Sequence, residues 1–337
     1  MTENMSDKMR VALGQFNELT HERLTFAKQI GVGGVQMNTP LLPEEKGYWE
    51  YDDLHKIKAR CDSYGLRLEA LENVPRHFYA KAMLGLPGRD EQIENYQKTI
   101  RNMGKAGIPL LGYHWMPNGV WRTPDALGRG GVRVTAYDAN LLDAAPLVAG
   151  EREVKGFEGR TIGHDAMWAN YAYFMKAVLP VAEEAGVKLA LHPDDPPVPE
   201  LGGIARLFGT AAGFKRAMEE IAPSPNHGLD FCMGSFSEGG PGVLDTMRYF
   251  GERGKIFYFH FRDVQGHVPQ FQECFLGEGN IDPVEAVRVL HEVGFTGFII
   301  DDHVPRMIDD SDWNHRGHAH ATGYILALVE AVQKLCK

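Results

Sequence analysis

The stretch Glu183-Glu184-Ala185-Gly186-Val187-Lys188-Leu189-Ala190-Leu191-His192 decides how the chain is read. A helix-like segment, Asp165 to Ala185, runs into a glycine, and the glycine into a short apolar run that ends on a histidine. Glycine after a helix takes the left-handed cap that turns the chain towards a strand. The same punctuation recurs at Gly31 before Gly33-Gly34-Val35-Gln36-Met37 and at Gly65 before Leu66-Arg67-Leu68-Glu69-Ala70-Leu71. It returns at Gly107 before Ile108-Pro109-Leu110-Leu111 and at Gly294 before Phe295-Thr296-Gly297-Phe298-Ile299-Ile300. Gly228-Leu229-Asp230-Phe231 and Lys255-Ile256-Phe257-Tyr258-Phe259 have strand composition without the full signature, and Val11-Ala12-Leu13-Gly14 makes eight runs.

Between them lie helix candidates from Glu18 to Ile30, Asp53 to Tyr64, Gln92 to Ala106, Val243 to Phe250, Pro283 to Val293 and Gly317 to Leu335. Strands alternating with helices imply a parallel sheet covered on its faces. The steps Gly31 to Gly65, Gly65 to Gly107 and Gly186 to Gly228 are 34, 42 and 42 residues. That regularity favours an α/β chain of eight units closed into a (β/α)8 TIM barrel, with residues 1–337 as one domain. The step from Gly107 to Gly186 is 79 residues and must carry an insertion after strand 4. Residues 117–164, heavy in Gly, Pro, Arg and Asp, are the expected insertion, a lid over the active-site mouth.

Composition removes several functions. With 35 Lys+Arg against 45 Asp+Glu, the formal charge of −10 disfavours nucleic acid as a partner. At 44% hydrophobic and 24% charged, the chain has ample material for a large core. No apolar run approaches the roughly 18 to 20 residues that span a bilayer, and the polar start Met1-Thr2-Glu3-Asn4 is not a signal peptide. A cytoplasmic protein with no membrane partner is expected. Cys61, Cys232, Cys274 and Cys336 form no C-x-x-C pair, which fits a reducing compartment.

Four late strand-like runs end on or just before metal-ligand residue types: His192, Cys232, His260 and the group Asp301-Asp302-His303. Counted to Asp302, the spacings are 40, 28 and 42 residues, each near one β/α unit. In a closed barrel the carboxyl ends of the strands converge on one mouth, so such residues can surround one ion. Two imidazoles, a thiolate and a carboxylate suit a divalent transition ion, with Mn²⁺, Fe²⁺ and Zn²⁺ all allowed. Each residue alone reads as packing or a satisfied polar tip; their coincidence at four successive strand ends carries the assignment. Other motifs are incomplete. His291-Glu292 lacks the second histidine of a zincin helix, Ser235-Phe236-Ser237-Glu238-Gly239 lacks the first glycine of a nucleophile elbow, and no phosphate-binding glycine loop occurs. Arg316-Gly317-His318-Ala319-His320 reads as a solvated helix start, and Tyr48-Trp49-Glu50-Tyr51 as a packing cluster.

With these residues in view, the chain resembles the mannonate dehydratase family. The likeness runs through Glu72-Asn73-Val74-Pro75, Ile93-Glu94-Asn95-Tyr96, Tyr113-His114-Trp115-Met116-Pro117 and Trp121-Arg122-Thr123. It continues in His192-Pro193-Asp194-Asp195-Pro196-Pro197, Gly228-Leu229-Asp230-Phe231-Cys232-Met233-Gly234-Ser235, His260-Phe261-Arg262-Asp263-Val264 and Asp302-His303. The resemblance implies a xylose-isomerase-like barrel and the metal ligands His192, Cys232, His260 and Asp302, with Asp302 chosen over Asp301. It implies loss of water from D-mannonate to give 2-dehydro-3-deoxy-D-gluconate. His114, the residues Gly119 and Val120, and Val304 depart from the family pattern, all near the expected substrate mouth. The expected ion is Mn²⁺ or Fe²⁺, ahead of Zn²⁺ or Mg²⁺. His303 and Tyr324 are the candidates for proton transfer, and Arg262, Arg122, His114 and Trp121 for binding the small-molecule sugar acid. A homo-oligomer is expected. The runner-up activities are sugar isomerisation or epimerisation at the same kind of metal site, or dehydration of a related aldonate.

Overall fold

The computed structural model describes residues 8–142, 147–149 and 155–336, the short piece 147–149 by its backbone alone; residues 1–7, 143–146 and 150–154, the last two within the expected insertion, and residue 337 lie outside the described set. Eight strand positions follow one another in chain order: β1 (Arg10–Val11 and Leu13–Phe16), β2 (Gly34–Asn38), β3 (Arg67–Glu72), β4 (Leu110–Tyr113), β5 (Lys188–Leu191), β6 (His227–Cys232), β7 (Ile256–His260) and β8 (Phe298–Ile300). Every neighbouring pair is parallel. Arg10 pairs with Phe298 while Leu13 pairs with Val35, so β1 touches both β8 and β2 and closes the barrel. All eight runs read from the sequence are in it.

Each unit forms for local reasons. All residues of β6 and β7 are buried, as expected for parallel strands covered on both faces. Gly107 and Gly186 end helices Arg89–Ala106 and His164–Ala185 with φ of 75° and 67°, the left-handed cap that the sequence pattern demanded. Helix His21–Gln29 starts later than the expected Glu18 because Thr20 caps it, accepting from the Arg23 amide at 3.1 Å. Asp282 caps Pro283–Glu292 with proline in its first turn. The unit after β5 carries Ala211–Lys215 continued by a π-helical turn, Arg216–Ile221, which the sequence pattern did not predict. Trp49 is fully buried, as a packing residue should be.

The excursion after β4 builds strands Val120–Leu127 and Arg133–Asp138, an antiparallel pair. Strand Leu147–Ala149 joins one edge. The other edge was not expected from the sequence: Gln270–Glu273 and Val264–His267, from the connection after β7, extend the same sheet to five strands. Tyr137 stacks on Phe271 across that seam with ring centroids 5.5 Å apart. Two connections therefore share one antiparallel sheet, which fixes each relative to the other.

Helices Arg89–Ala106 and His164–Ala185 approach closely at Gly104, where a Cβ would lie 2.3 Å from the Ala185 carbonyl oxygen. Gly104→Ala should therefore push the helices apart and destabilise the fold by about 1–3 kcal/mol, overriding alanine's higher helix propensity. Thermal unfolding of the variant beside the parent protein checks this.

Candidate metal centre

The carboxyl ends of β5 to β8 bring the strand-end residues together. Cys232 and His260 are direct register partners, and His192 follows β5 with its amide bonded to the Tyr113 carbonyl of β4 at 2.8 Å. Donor atoms of His192, Cys232 and His260 all lie within 4.8 Å of one another. Asp302 joins them: its Oδ2 is 3.5 Å from His260 Nδ1 and 3.9 Å from Cys232 Sγ. Asp302 has φ of 60°, and its Oδ1 accepts from Gln15 Nε2 at 2.6 Å. Asp301 faces elsewhere, accepting from His318 Nδ1 at 2.9 Å and Thr322 Oγ1 at 3.1 Å. His318 is thus buried against Asp301 and stacked on Trp313, not part of a solvated helix start as expected.

The chemistry of the four donors fits a divalent transition ion. Both ring nitrogens of His260 are buried without a hydrogen-bond partner, a costly state unless something else engages them. His192 Nδ1 donates to the Pro193 carbonyl at 2.7 Å, which leaves Nε2 as the ring nitrogen available to a ligand. Cys232 caps helix Met233–Glu238, its sulfur accepting from the Ser235 amide at 3.5 Å and from Ser235 Oγ at 3.3 Å. Burial opposes ionisation of the Cys232 thiol, but Arg262 and the imidazoles of His192 and His260 outweigh it and bring the thiol down to about 5. The thiolate form that a metal requires is therefore favoured at neutral pH. On the other side of the His260 ring, Nε2 is 3.1 Å from Glu72 Oε2 and 3.4 Å from Asp230 Oδ1. Carboxylates behind an imidazole orient it towards what lies in front.

Around the donors runs a buried charge network. Arg262 donates from Nε to Asp302 Oδ2 at 2.7 Å, from Nη1 to Glu238 Oε1 at 2.8 Å, and from Nη2 to Asp195 Oδ2 at 2.9 Å and Ser235 Oγ at 3.1 Å. Arg122 forks onto Asp195, with Nη2 to Oδ2 at 2.6 Å. The sequence reading assigns both arginines to binding the sugar acid. Both are buried, and their forks are directed at the protein's own carboxylates.

The remaining candidates are distributed unequally. His303 Nδ1 lies 2.8 Å from Glu273 Oε1 and its Nε2 lies 3.8 Å from Asp302 Oδ1, so it borders the donor cluster. His114 follows β4; burial, reinforced by neighbouring His192, Arg76 and Arg206, pushes it down to about 3, and its Nδ1 accepts from the Met116 amide. It is a neutral imidazole near neutral pH. Trp121, beside Arg122 in the antiparallel sheet, donates to the Asn118 carbonyl at 3.1 Å. Tyr324 has its hydroxyl beside Gly277, in the loop after strand Gln270–Glu273. Sequence reasoning missed Glu72, Asp195, Glu238 and Glu273. Glu72 ends β3 and was open to the same strand-end rule; the other three sit in connections and carry no spacing signal.

With this geometry in place, comparison with known proteins gives a consistent result. The D-mannonate dehydratase (UxuA) family model matches residues 9–337. This chain belongs to that family. Mannonate dehydratase 2 of Halalkalibacterium halodurans is 31% identical over 330 residues, covering 92% of this chain and 93% of that protein. The crystal structure of mannonate dehydratase from Streptococcus suis serotype2 superposes with a TM-score of 0.86 at 29% identity, covering 97% of this chain and 96% of that one. The structure of L-ribulose 3-epimerase superposes with a TM-score of 0.61 at 16% identity over 97% of each chain, which shows the shared barrel fold alone. Among the described residues no helix is long and apolar enough to cross a membrane.

Arg122 sits among Asp195, Glu238 and Glu273, with Nη2 3.7 Å and 3.8 Å from the last two. Arg122→Ala leaves buried carboxylate without its partner and should cost about 3–5 kcal/mol. A denaturant titration compared with the parent protein measures it.

Proposed function

We propose that this chain removes water from D-mannonate to give 2-dehydro-3-deoxy-D-gluconate, using a divalent ion held by His192, Cys232, His260 and Asp302. The observation that carries this reading is the convergence of those four donors in a chain matched over nearly its whole length by the family model. Mn²⁺ or Fe²⁺ is the expected ion, since the donor set mixes nitrogen, sulfur and oxygen. When bound, the ion supplies Lewis-acid stabilisation for the charge that develops on an aldonate as the proton leaves C2.

The protein's own residues do the rest. His303, bordering Asp302, moves a proton at C2 or at the departing 3-hydroxyl. Arg262 holds Asp302 through the 2.7 Å bond, so it acts on the substrate through the ligand. His114, as a neutral imidazole, and Trp121 are the further candidates for contacting the sugar acid. The antiparallel sheet built by residues 120–138 and 264–273 acts as a lid that keeps water from the reacting carbons. The enzyme works as a cytoplasmic homo-oligomer on a small sugar acid.

Mass spectrometry of D-mannonate incubated with the Mn²⁺-loaded protein should show a product lighter by one water that semicarbazide traps as a 2-keto acid. A product of unchanged mass would make the chain an isomerase. Removing the ion with a chelator should abolish turnover, and added Mn²⁺ should restore it. Cys232→Ala should weaken Mn²⁺ binding at least about tenfold by calorimetry, with the circular dichroism spectrum unchanged.

A further inference from the structure

His303 stands at the mouth with 45% of its side chain exposed, one residue beyond the end of the Asp301-Asp302 pair. An imidazole so placed can rotate, and a proton-transfer group that rotates is unoriented for most of the time. Its close polar neighbour is Glu273, whose Oε1 lies 2.8 Å from Nδ1. We propose that Glu273 is a positioning residue for His303, fixing the ring with Nδ1 protonated so that Nε2 is the nitrogen that exchanges a proton with the substrate. This rests on the reading of His303 given above.

The state of Glu273 supports the assignment. Burial favours its neutral form, but His303, Arg262 and Arg122 outweigh burial and hold the carboxyl down to about 2. Arg262 Nη1 is 3.6 Å away and Arg122 Nη2 3.8 Å. An ionised carboxylate only accepts, so the hydrogen between Glu273 and His303 belongs to Nδ1 whether the ring is neutral or charged. The other nitrogen lies on the Asp302 side, 3.8 Å from Oδ1.

The position of Glu273 is itself fixed at two points. It closes strand Gln270–Glu273, where it pairs with Val264 on one side of the sheet, while Phe271 and Gln272 pair with Tyr137 and Ala136 on the other. Its carboxylate is flanked by guanidinium groups from β7's end and from the excursion after β4. The antiparallel sheet therefore delivers an oriented carboxylate to a histidine that follows β8.

The test compares the Mn²⁺-loaded parent with Glu273→Ala, Glu273→Gln and His303→Asn. Glu273→Ala should lower kcat about 10- to 100-fold with KM little changed, because binding survives while the ring turns. Glu273→Gln, whose amide oxygen still accepts from Nδ1–H, should recover most of that loss. Calorimetric Mn²⁺ affinity should match the parent in both. Nitrogen-15 spectra of the Zn²⁺-loaded parent should show His303 protonated on Nδ1, and those of Glu273→Ala a mixture of tautomers. If His303→Asn is inactive while Glu273→Ala keeps the parent kcat, Glu273 has no positioning role. If Mn²⁺ affinity falls in step with kcat, Glu273 acts through Arg262 and Asp302, and the inference is likewise overturned. If the neutral parent ring carries its single proton on Nε2 rather than Nδ1, it fails without reference to any variant. An active His303→Asn would instead remove the reading of His303 on which it stands.

Discussion

The guanidinium of Arg262 is the contact on which the carboxyl face of the barrel depends. It bonds Asp302, Glu238 and Asp195 at once, residues that come from the end of β8, the helix after β6 and the connection after β5. Four carboxylates, those three and Glu273, crowd two buried arginines, and without the positive charge they would repel one another in a medium that screens poorly. Such a network adds little net stability, because desolvation offsets much of the attraction. What it contributes is arrangement: each carboxylate has one favourable place, and Asp302 is thereby aimed at Cys232 and His260.

That aim matters because the donor cluster comes from four separate strand ends. Parallel register aligns Cys232 with His260, and the cap interaction with Ser235 keeps the sulfur at the start of a helix. Behind His260 stand Glu72 and Asp230, in front of it Asp302, so the ring is bracketed by carboxylates on both nitrogens. The Ser235 hydroxyl, at the place where a nucleophile elbow would carry its first glycine, bonds Cys232 and Arg262; its partners make it a support for those two side chains.

The second constraint is the five-stranded antiparallel sheet. Because it joins the excursion after β4 to the connection after β7, Arg122 and Glu273 reach the same charge network from two distant parts of the chain. An insertion read as a single segment could not show this, since two of the five strands lie more than a hundred residues further on.

The sequence by itself determined the eight strands, seven of the helices between them and the residue types at the strand ends. Helix period, glycine caps and buried strand composition act over a few residues, so they are readable wherever they occur, and barrel closure then converts strand-end positions into neighbours. Glu72 was within reach of that same rule. Tertiary structure alone decided the partners of charged side chains. Arg122 and Arg262 read in the sequence as forks for a substrate, with nothing to name the carboxylates they meet; Asp301 and Asp302 are adjacent and chemically identical, and Glu273 has no periodic marker. Which carboxylate a guanidinium or imidazole meets depends on distance in space between segments far apart in the chain, and no local pattern encodes that distance.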